Sequence, residues 1–134
     1  MATITYDNPP TIHDTAGRYS HTALVTGPGR YGESVRWLHI SGQVGTRPDG
    51  TVPADADSQV EQALKNLMAA LAHHGMGPQN LVKMTSYITD RSVLAPLRAK
   101  RVPMLGVSCA HTLIIVAGLA APEFVVEIEA VAAG

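Results

Sequence analysis

The first third of the chain alternates between apolar and polar residues, which is the pattern of strands with one buried face. It predicts strands over Ala2–Tyr6, Tyr19–Thr26 and Arg36–Val44. A glycine-rich break at 27–29 separates the second strand from the third, so we expect these two to form a hairpin. Alternation divides the side chains of the third strand between two faces, with Trp37, His39 and Ser41 opposite Leu38, Ile40 and Gly42.

The spacing becomes helical in the middle of the chain. Apolar residues recur every three or four positions from Val60 to Leu71, which predicts an amphipathic helix. Asp55 or Asp57 can cap its first turn, and Gly75 suits the left-handed residue that ends many helices. We therefore expect one well-delimited helix in this segment.

Four further elements complete the chain. They are a strand, a second helix and two more strands, over Leu81–Thr89, Arg91–Met104, His111–Ala117 and Phe124–Ala132. Ser92 can cap the second helix, and Pro103 is expected to end it. This order predicts an α+β fold in which two helices pack on one face of a mixed sheet.

The last predicted strand carries acidic residues on one of its faces. Alternation places Phe124, Val126, Ile128 and Ala130 on one face and Glu127, Glu129, Val125 and Val131 on the other. Two carboxylates among apolar neighbours are costly to bury unless water, a partner surface or a ligand site satisfies them. No third helix remains to cover this face, so we expect other copies of the chain to bury it.

Length and charge limit the classes of protein to which this chain can belong. The 134 residues suit a single domain spanning 1–134, and ten Lys and Arg against eleven Asp and Glu give a net charge of −1. Such a chain lacks the basic footprint of a general nucleic-acid binder. The single Cys excludes an internal disulfide. Neither a signal peptide nor an apolar stretch of membrane-spanning length is visible, so we expect a cytoplasmic protein with no membrane partner.

A series of short motifs runs through nearly the whole chain. Its members are Ser41-Gly42-Gln43, Asp49-Gly50, Gln62 to Leu67, Gly75, Val82 to Thr85, Tyr87 to Asp90 and Val126 to Ala132. No single motif is decisive, but their order is specific. In this order the chain resembles the Rid family, also called YjgF/YER057c/UK114.

The resemblance implies a chorismate-mutase-like fold and a homotrimer. The three sheets would form a central β-barrel, with helices outside and sites in clefts between subunits. The resemblance also implies hydrolytic deamination of a small-molecule substrate, a reactive enamine or imine such as 2-aminoacrylate, to a ketoacid and ammonia. In the family this chemistry uses neither a metal nor an organic cofactor.

Several family positions match residues of this chain. The resemblance assigns Glu127 as the catalytic carboxylate that positions the attacking water, and it assigns Tyr19, Ser41 and Gly42 to the substrate cleft. A carboxylate in a partly apolar cleft tends to have a raised pKa, which suits proton transfer. The alternatives are a Glu127 paired across the trimer and a Gly42 that merely permits close packing.

Two positions depart from the family pattern. The Pro-Ala-Arg motif that holds the substrate carboxylate falls on Cys109-Ala110-His111, and the family's asparagine falls on Arg98. His111 can transfer a proton but lacks the bidentate grip of an arginine, which Arg98 would have to supply from the opposite wall. The alternatives are an interface histidine and a solvated helix charge, while Cys109 is either a nucleophile or a buried, inert thiol.

Two functions from different classes remain open. The first is an enamine or imine hydrolase in which Glu127 faces His111 and Arg98 across one cleft. The second is a non-catalytic trimer that binds or senses a small metabolite, which the missing arginine favours. Ribonuclease activity is disfavoured because the chain is slightly acidic and has few aromatic residues for base stacking. No metal site is expected, since adjacent helical residues such as His73 and His74 do not face one another.

Overall fold

Six strands form one sheet in the order β1-β2-β3-β6-β4-β5, and two α-helices lie on one side of it. This computed structural model describes all 134 residues. The elements are β1 Thr3–Asp7, β2 Thr22–Pro28, β3 Ser34–Val44, α1 Ala56–His73, β4 Leu81–Ile88, α2 Leu94–Leu105, β5 Ala110–Ile115 and β6 Val126–Ala133. Single 3₁₀ turns over Pro78–Asn80 and Arg91–Val93 precede β4 and α2.

The sheet is mixed, as the order of elements predicts. β4 and β5 run parallel, and every other neighbouring pair is antiparallel. A parallel pair needs a long crossover connection, which α2 supplies between β4 and β5. β2 and β3 form the predicted hairpin.

The core lies between α1, α2 and the sheet. Its largest residues with essentially no exposed surface include Leu38, Leu64, Leu67, Met84, Leu97 and Ile128. The side chain of Asp55 caps α1 by accepting from the backbone N–H of Ser58 at 2.8 Å, as one of the two sequence alternatives predicts. β6 places Val126, Ile128 and Ala130 in this core, which confirms three positions of the predicted inward face. The fourth, Phe124, was predicted wrongly: it precedes β6, is half-buried and lines the cavity near Glu127 instead of the core.

Two further local expectations are wrong. Pro103 does not end α2, which continues to Leu105 and stops at Gly106 with a φ of 71°. Because Ala99 is exposed, water can satisfy the helical carbonyl that Pro103 leaves without a donor. Val125 does not share the face of Glu127: β6 begins one residue later, and Val125 packs against the core while its N–H donates to Gln59 Oε1 at 3.0 Å.

The sheet face opposite the helices is uncovered in the single chain. It presents apolar side chains with large exposed fractions, such as Ile4 at 56%, Trp37 at 42% and Ile114 at 43%. Val131 lies among them, half-buried, as the sequence predicts. No helix is both long and apolar enough to cross a membrane.

Candidate functional site

A β-bulge in β3 shapes the centre of the uncovered face. Ile40 pairs with Ala130 and Gln43 pairs with Ile128, so Ser41 and Gly42 together oppose the single residue Glu129. The extra residue reverses the alternation, and Gln43 instead of Gly42 enters the buried face. The simple alternation expected along this strand therefore fails at Gly42.

A buried hydrogen-bond network holds the bulge. The ring of His21 is fully buried, and its Nε2–H donates to the carbonyl oxygen of His13 at 2.8 Å. Since a carbonyl only accepts, Nδ1 of His21 is the acceptor for Gln43 Nε2 at 3.0 Å. Gln43 Nε2 also donates to the carbonyl of Ser41 at 3.0 Å, and the Ser41 hydroxyl donates to the carbonyl of Ser20 at 2.7 Å. The backbone at the bulge is thus tied to the segment that leads into β2.

Glu127 lies beside this bulge. It pairs with Val44 of β3 and Tyr87 of β4, so its side chain points to the uncovered face. The carboxylate occupies the space above Gly42, where an added Cβ would approach Glu127 Cγ to 2.8 Å and overlap the carboxylate. The absence of a Cβ at Gly42 therefore leaves packing space for the carboxylate of Glu127 in this position.

The environment raises the pKa of the Glu127 carboxyl above its ordinary value. The larger cause is the partial burial of the side chain, and the smaller is the negative charge of Glu129. Glu127 also contributes, after burial, to a raised pKa of the Tyr19 hydroxyl, which indicates that the two groups are neighbours. This pair resembles an acid–base site more than a solvated surface.

A cavity of about 700 Å³ opens over this pair. Its walls include four of the sequence-predicted site residues, namely Tyr19, Ser41, Gly42 and Glu127. The other walls come from the segments 13–18, 44–52 and 120–124, and they carry Arg18, Asp14, Asp49 and Glu123. The size lies within the range of small-molecule sites in proteins.

Two buried polar residues of α1 fix the loops around the cavity. Asn66 donates to the carbonyls of Val44 and Thr46 at 3.0 and 2.9 Å. Gln59 donates to the carbonyls of Pro53 and Glu123 at 2.9 and 2.8 Å. The core helix therefore sets the positions of two cavity walls, although neither of its amides touches the cavity.

The remaining predicted site residues do not meet Glu127 within one chain. His111 pairs with Met84, faces the helices, and its Nε2 lies 2.8 Å from the Ser86 hydroxyl. Burial, and then the charges of Arg101 and Lys83, lower the pKa of His111. Cys109 packs against the core ahead of β5, and Arg98 is exposed on α2. The predicted arrangement of Glu127, His111 and Arg98 across one cleft is not present within the single chain.

Sequence reasoning missed two cavity residues. Arg18 brings a cation to the cavity that holds Glu127. The imidazole of His13 has Nε2 3.5 Å from the Tyr19 hydroxyl and a buried Nδ1 with no partner. Burial and the neighbouring His21 lower the pKa of His13, and Asp14 only partly offsets them. Both residues stand within six positions of Tyr19, but no periodic pattern marks this irregular segment.

Comparison with known proteins decides the family. The model of the family described as Endoribonuclease L-PSP matches residues 12–134. The chain belongs to this family. The RutC family protein YjgH of Escherichia coli is 41% identical over 78 residues, which cover 56% of each chain. The chain spans about half the length of the curated relatives it matches.

Solved structures of the L-PSP fold match over nearly the whole chain. YyfA from Yersinia pestis, described as a protein of unknown function of the conserved Rid protein family, is 25% identical with a TM-score of 0.82, over 97% of this chain and 98% of its own. TdcF of E. coli with bound serine is 23% identical with a TM-score of 0.78, over 96% and 97%. The resemblance to the Rid family and the α+β fold are confirmed.

Proposed function

We propose that this L-PSP family member hydrolyses the C=N bond of a small imine or enamine, with Glu127 as the general base. Water would give a proton to Glu127 as its oxygen bonds to the imine carbon. Glu127 passes this proton to nitrogen, which gives a carbinolamine. The proton of its hydroxyl group then moves to nitrogen through the same carboxylate as the C–N bond breaks, and a carbonyl compound and ammonia leave. An enamine enters the same route after a proton adds to its β carbon and gives the imine. One water is consumed for each ammonia released, and no other reactant is needed.

The position of Glu127 carries this proposal. It combines partial burial, a raised pKa and an empty space of small-molecule size directly above it. A base works best when its pKa approaches the working pH, and burial moves a carboxyl in that direction. The Tyr19 hydroxyl, whose pKa is raised by burial and by Glu127, stays protonated and can donate to the substrate.

One group of the cavity wall, Arg18, could hold a substrate carboxylate. Arg18 provides a permanent cation at the rim, whereas the other ionisable groups around it are largely acidic. Bound serine in TdcF supports a ligand of amino-acid size in this fold. His111 and Arg98 belong to the same site only if a neighbouring copy brings them to the cavity.

The decisive experiment measures ammonia release from imines made in place by an amino-acid oxidase. We expect Glu127→Gln to lose about 10²–10⁴-fold in rate, because it keeps the shape of the side chain and removes the base. Glu129→Gln is the matched control: it changes the same charge on the same strand and face, but at a carboxylate whose Oε1 accepts from the Tyr87 hydroxyl at 2.5 Å. Equal rates for the wild type and Glu127→Gln would overturn the proposal.

The pH profile provides a second test. The base acts only when it is ionised, so kcat/KM should rise with pH through a midpoint above the ordinary glutamate value of 4.5. Glu129→Gln should move this midpoint down, because the charge of Glu129 contributes to the raised pKa of Glu127. A profile that is unchanged in Glu129→Gln would contradict this coupling.

The second candidate function is a non-catalytic metabolite-binding protein. It is favoured by the separation of His111 from Glu127 within one chain, which leaves no second proton-transfer group from β5 in the cavity. Saturable binding of a ketoacid without any turnover of imines would favour this function over the hydrolase.

The family's description raises ribonuclease activity, which the charges of this chain oppose. The cavity rim bears Asp14, Asp49, Glu123 and Glu127 against the single arginine Arg18. Phosphate recognition requires a basic surface, and the net charge of the chain is −1. Binding to a single-stranded RNA that weakens steeply with added salt would be required to support this activity.

A further inference from the structure

Three side chains of metal-ligand type meet outside the cavity that opens over Glu127. Asp7 is the last residue of β1, His73 is the last residue of α1, and His74 follows it. One ligand atom from each lies within 4.8 Å of the other two. We propose that Asp7, His73 and His74 form a binding site for one divalent transition-metal ion of the Zn²⁺ type.

The end of α1 explains how two adjacent histidines converge. In a continuous helix neighbouring side chains diverge, which is why the sequence predicts no ligand pair here. His74 has left the helical conformation, with φ at −100° and ψ at 14°. Its ring centroid consequently lies 5.0 Å from that of His73 at an interplanar angle of 86°. The expectation that these rings do not approach one another is wrong.

The distances between donor atoms are close to those of a metal centre. Zinc bonds of about 2.0–2.1 Å in tetrahedral geometry separate two ligand atoms by roughly 3.3 Å. Asp7 Oδ2 and His73 Nε2 are 3.4 Å apart, so these two already have this separation. The ring of His74 needs a shift of about one ångström or slightly more to complete the set, and water can occupy the fourth position.

A hydroxyl orients the third ligand. His74 Nε2 lies 2.9 Å from Thr22 Oγ1, and the Thr22 hydroxyl donates in turn to the backbone carbonyl of Asp7 at 3.4 Å. A metal ion bound at Nδ1 of His74 would require Nε2–H to donate to Thr22 Oγ1, and the 2.9 Å contact accommodates this direction. Such an outer contact is the usual device that fixes the tautomer of a metal-binding histidine.

The site would join an edge strand to the main helix. β1 pairs only with β2, and four of its five residues are exposed, so little apolar burial holds it. A metal held by Asp7 and the end of α1 would fix this strand against the core. The expected role is therefore structural, and ion binding should raise thermal stability by mass action.

The test is calorimetric titration of tag-free protein with ZnCl₂, accompanied by melting curves. The wild type should bind one ion per chain with a rise in Tm, and Co²⁺ should give the visible absorption of a tetrahedral site. His73→Ala should abolish saturable binding, and Thr22→Val should weaken it about 10-fold by releasing the ring of His74. His39→Ala, at an exposed histidine on the uncovered sheet face, should bind zinc like the wild type.

Two results would overturn the site. One is the absence of saturable binding to the wild type up to millimolar zinc. The other is binding by His73→Ala and Asp7→Asn equal to that of the wild type, which would place the ion elsewhere. His73 is exposed and Asp7 is half-exposed, and circular dichroism will show that both variants are folded before they are compared.

Discussion

Glu127 and His111 lie on strands separated only by β4, yet they occupy opposite faces of one sheet. On the uncovered face, Glu127 borders a cavity and burial raises its pKa. On the helix-covered face, His111 has a fixed partner in Ser86, and burial lowers its pKa. In both cases burial favours the neutral form, but only the carboxylate has an empty space beside it.

The comparison shows that position along a strand does not make two residues partners. The register pairs Glu127 with Tyr87 and His111 with Met84, and Tyr87 and Met84 point in opposite directions along β4. The candidate functional groups of this chain therefore lie on the uncovered face of the sheet. On the other side, Asn66 of α1 and Gln43 of β3 make buried hydrogen bonds that hold the backbone around the cavity. The following experiments test this division.

The largest expected effect is a difference in the free energy of unfolding between substitutions at two neighbouring residues of β3, Leu38 and Trp37. Leu38→Ala removes a fully buried side chain on the helix side and should reduce the free energy of unfolding by about 2–5 kcal/mol. Trp37→Ala, on the uncovered face, should cost clearly less when unfolding is measured at a concentration at which sedimentation shows single chains. Urea unfolding of both variants checks this, and equal losses would contradict the division between the faces.

Assembly should depend on the uncovered face. We expect the wild type to sediment as a trimer and Ile114→Glu to shift it towards the monomer, because the added charge would be buried between copies. Val102→Glu on α2 is the matched control, since its exposed fraction of 39% is close to the 43% of Ile114. Trp37 is the single tryptophan, so its emission should shift to the blue as the protein is concentrated.

A stable wild-type monomer at micromolar concentration would refute the trimer and any site that depends on a neighbouring copy. Dissociation by Val102→Glu in place of Ile114→Glu would move the interface to the helix side of the subunit.

An arginine at position 111 should not by itself give efficient turnover of 2-aminoacrylate. His111→Arg would bring a third cation near Arg101 and Lys83, whose charges already act on position 111, and should destabilise the fold by about 1–3 kcal/mol. His111→Gln keeps a hydrogen-bonding group for Ser86 and should cost less stability.

Activity gives a second measure of position 111. We expect poor turnover of 2-aminoacrylate by the wild type and incomplete rescue by His111→Arg. Thermal melts and pyruvate release measure these effects, and full rescue would show that a neighbouring copy brings this residue to the cavity.

The smallest effect concerns stability and pH. The folded state raises the pKa of Glu127, so the folded state binds this proton more tightly than the unfolded state does. Stability from this group is therefore full below the ordinary value of 4.5 and is lost as pH rises through the raised value. Glu127→Gln should consequently raise Tm at pH 7 and have little effect near pH 4. A lower Tm at pH 7 would mean that an unidentified partner stabilises the carboxylate.

Much of the secondary structure was predictable because each element has its own period. The strand alternation and the helical spacing from Val60 to Leu71 reflect one buried face per element, and Asp55 is a local cap that needs no tertiary context. The outer bounds moved by one to three residues, as in β2, which begins at Thr22 instead of Tyr19. Pro103 was misjudged because the solvation of Ala99 is not visible in the sequence.

The candidate site was predictable only in part. Glu127 and Glu129 stood out as two carboxylates among apolar residues, and the family resemblance singled out Glu127 and supplied Tyr19, Ser41 and Gly42. Arg18 and His13 were missed because they lie in an irregular segment with no period. His73 and His74 were set aside because the end of α1 changes the backbone just where their rings meet.

The sequence by itself determined the α+β class, the inward face of β6 and the absence of a helix for the other side of the sheet, since each follows from local periodicity and from the order of elements. Tertiary structure decided the bulge at Ser41 and Gly42, the opposite faces of Glu127 and His111, and the approach of Asp7 to His73. These features depend on the register between strands and on contacts between residues far apart in the chain. One extra residue in β3 reverses which of the following side chains point to each face of the sheet. The pattern within a single strand does not show which residue of the neighbouring strand each position will oppose.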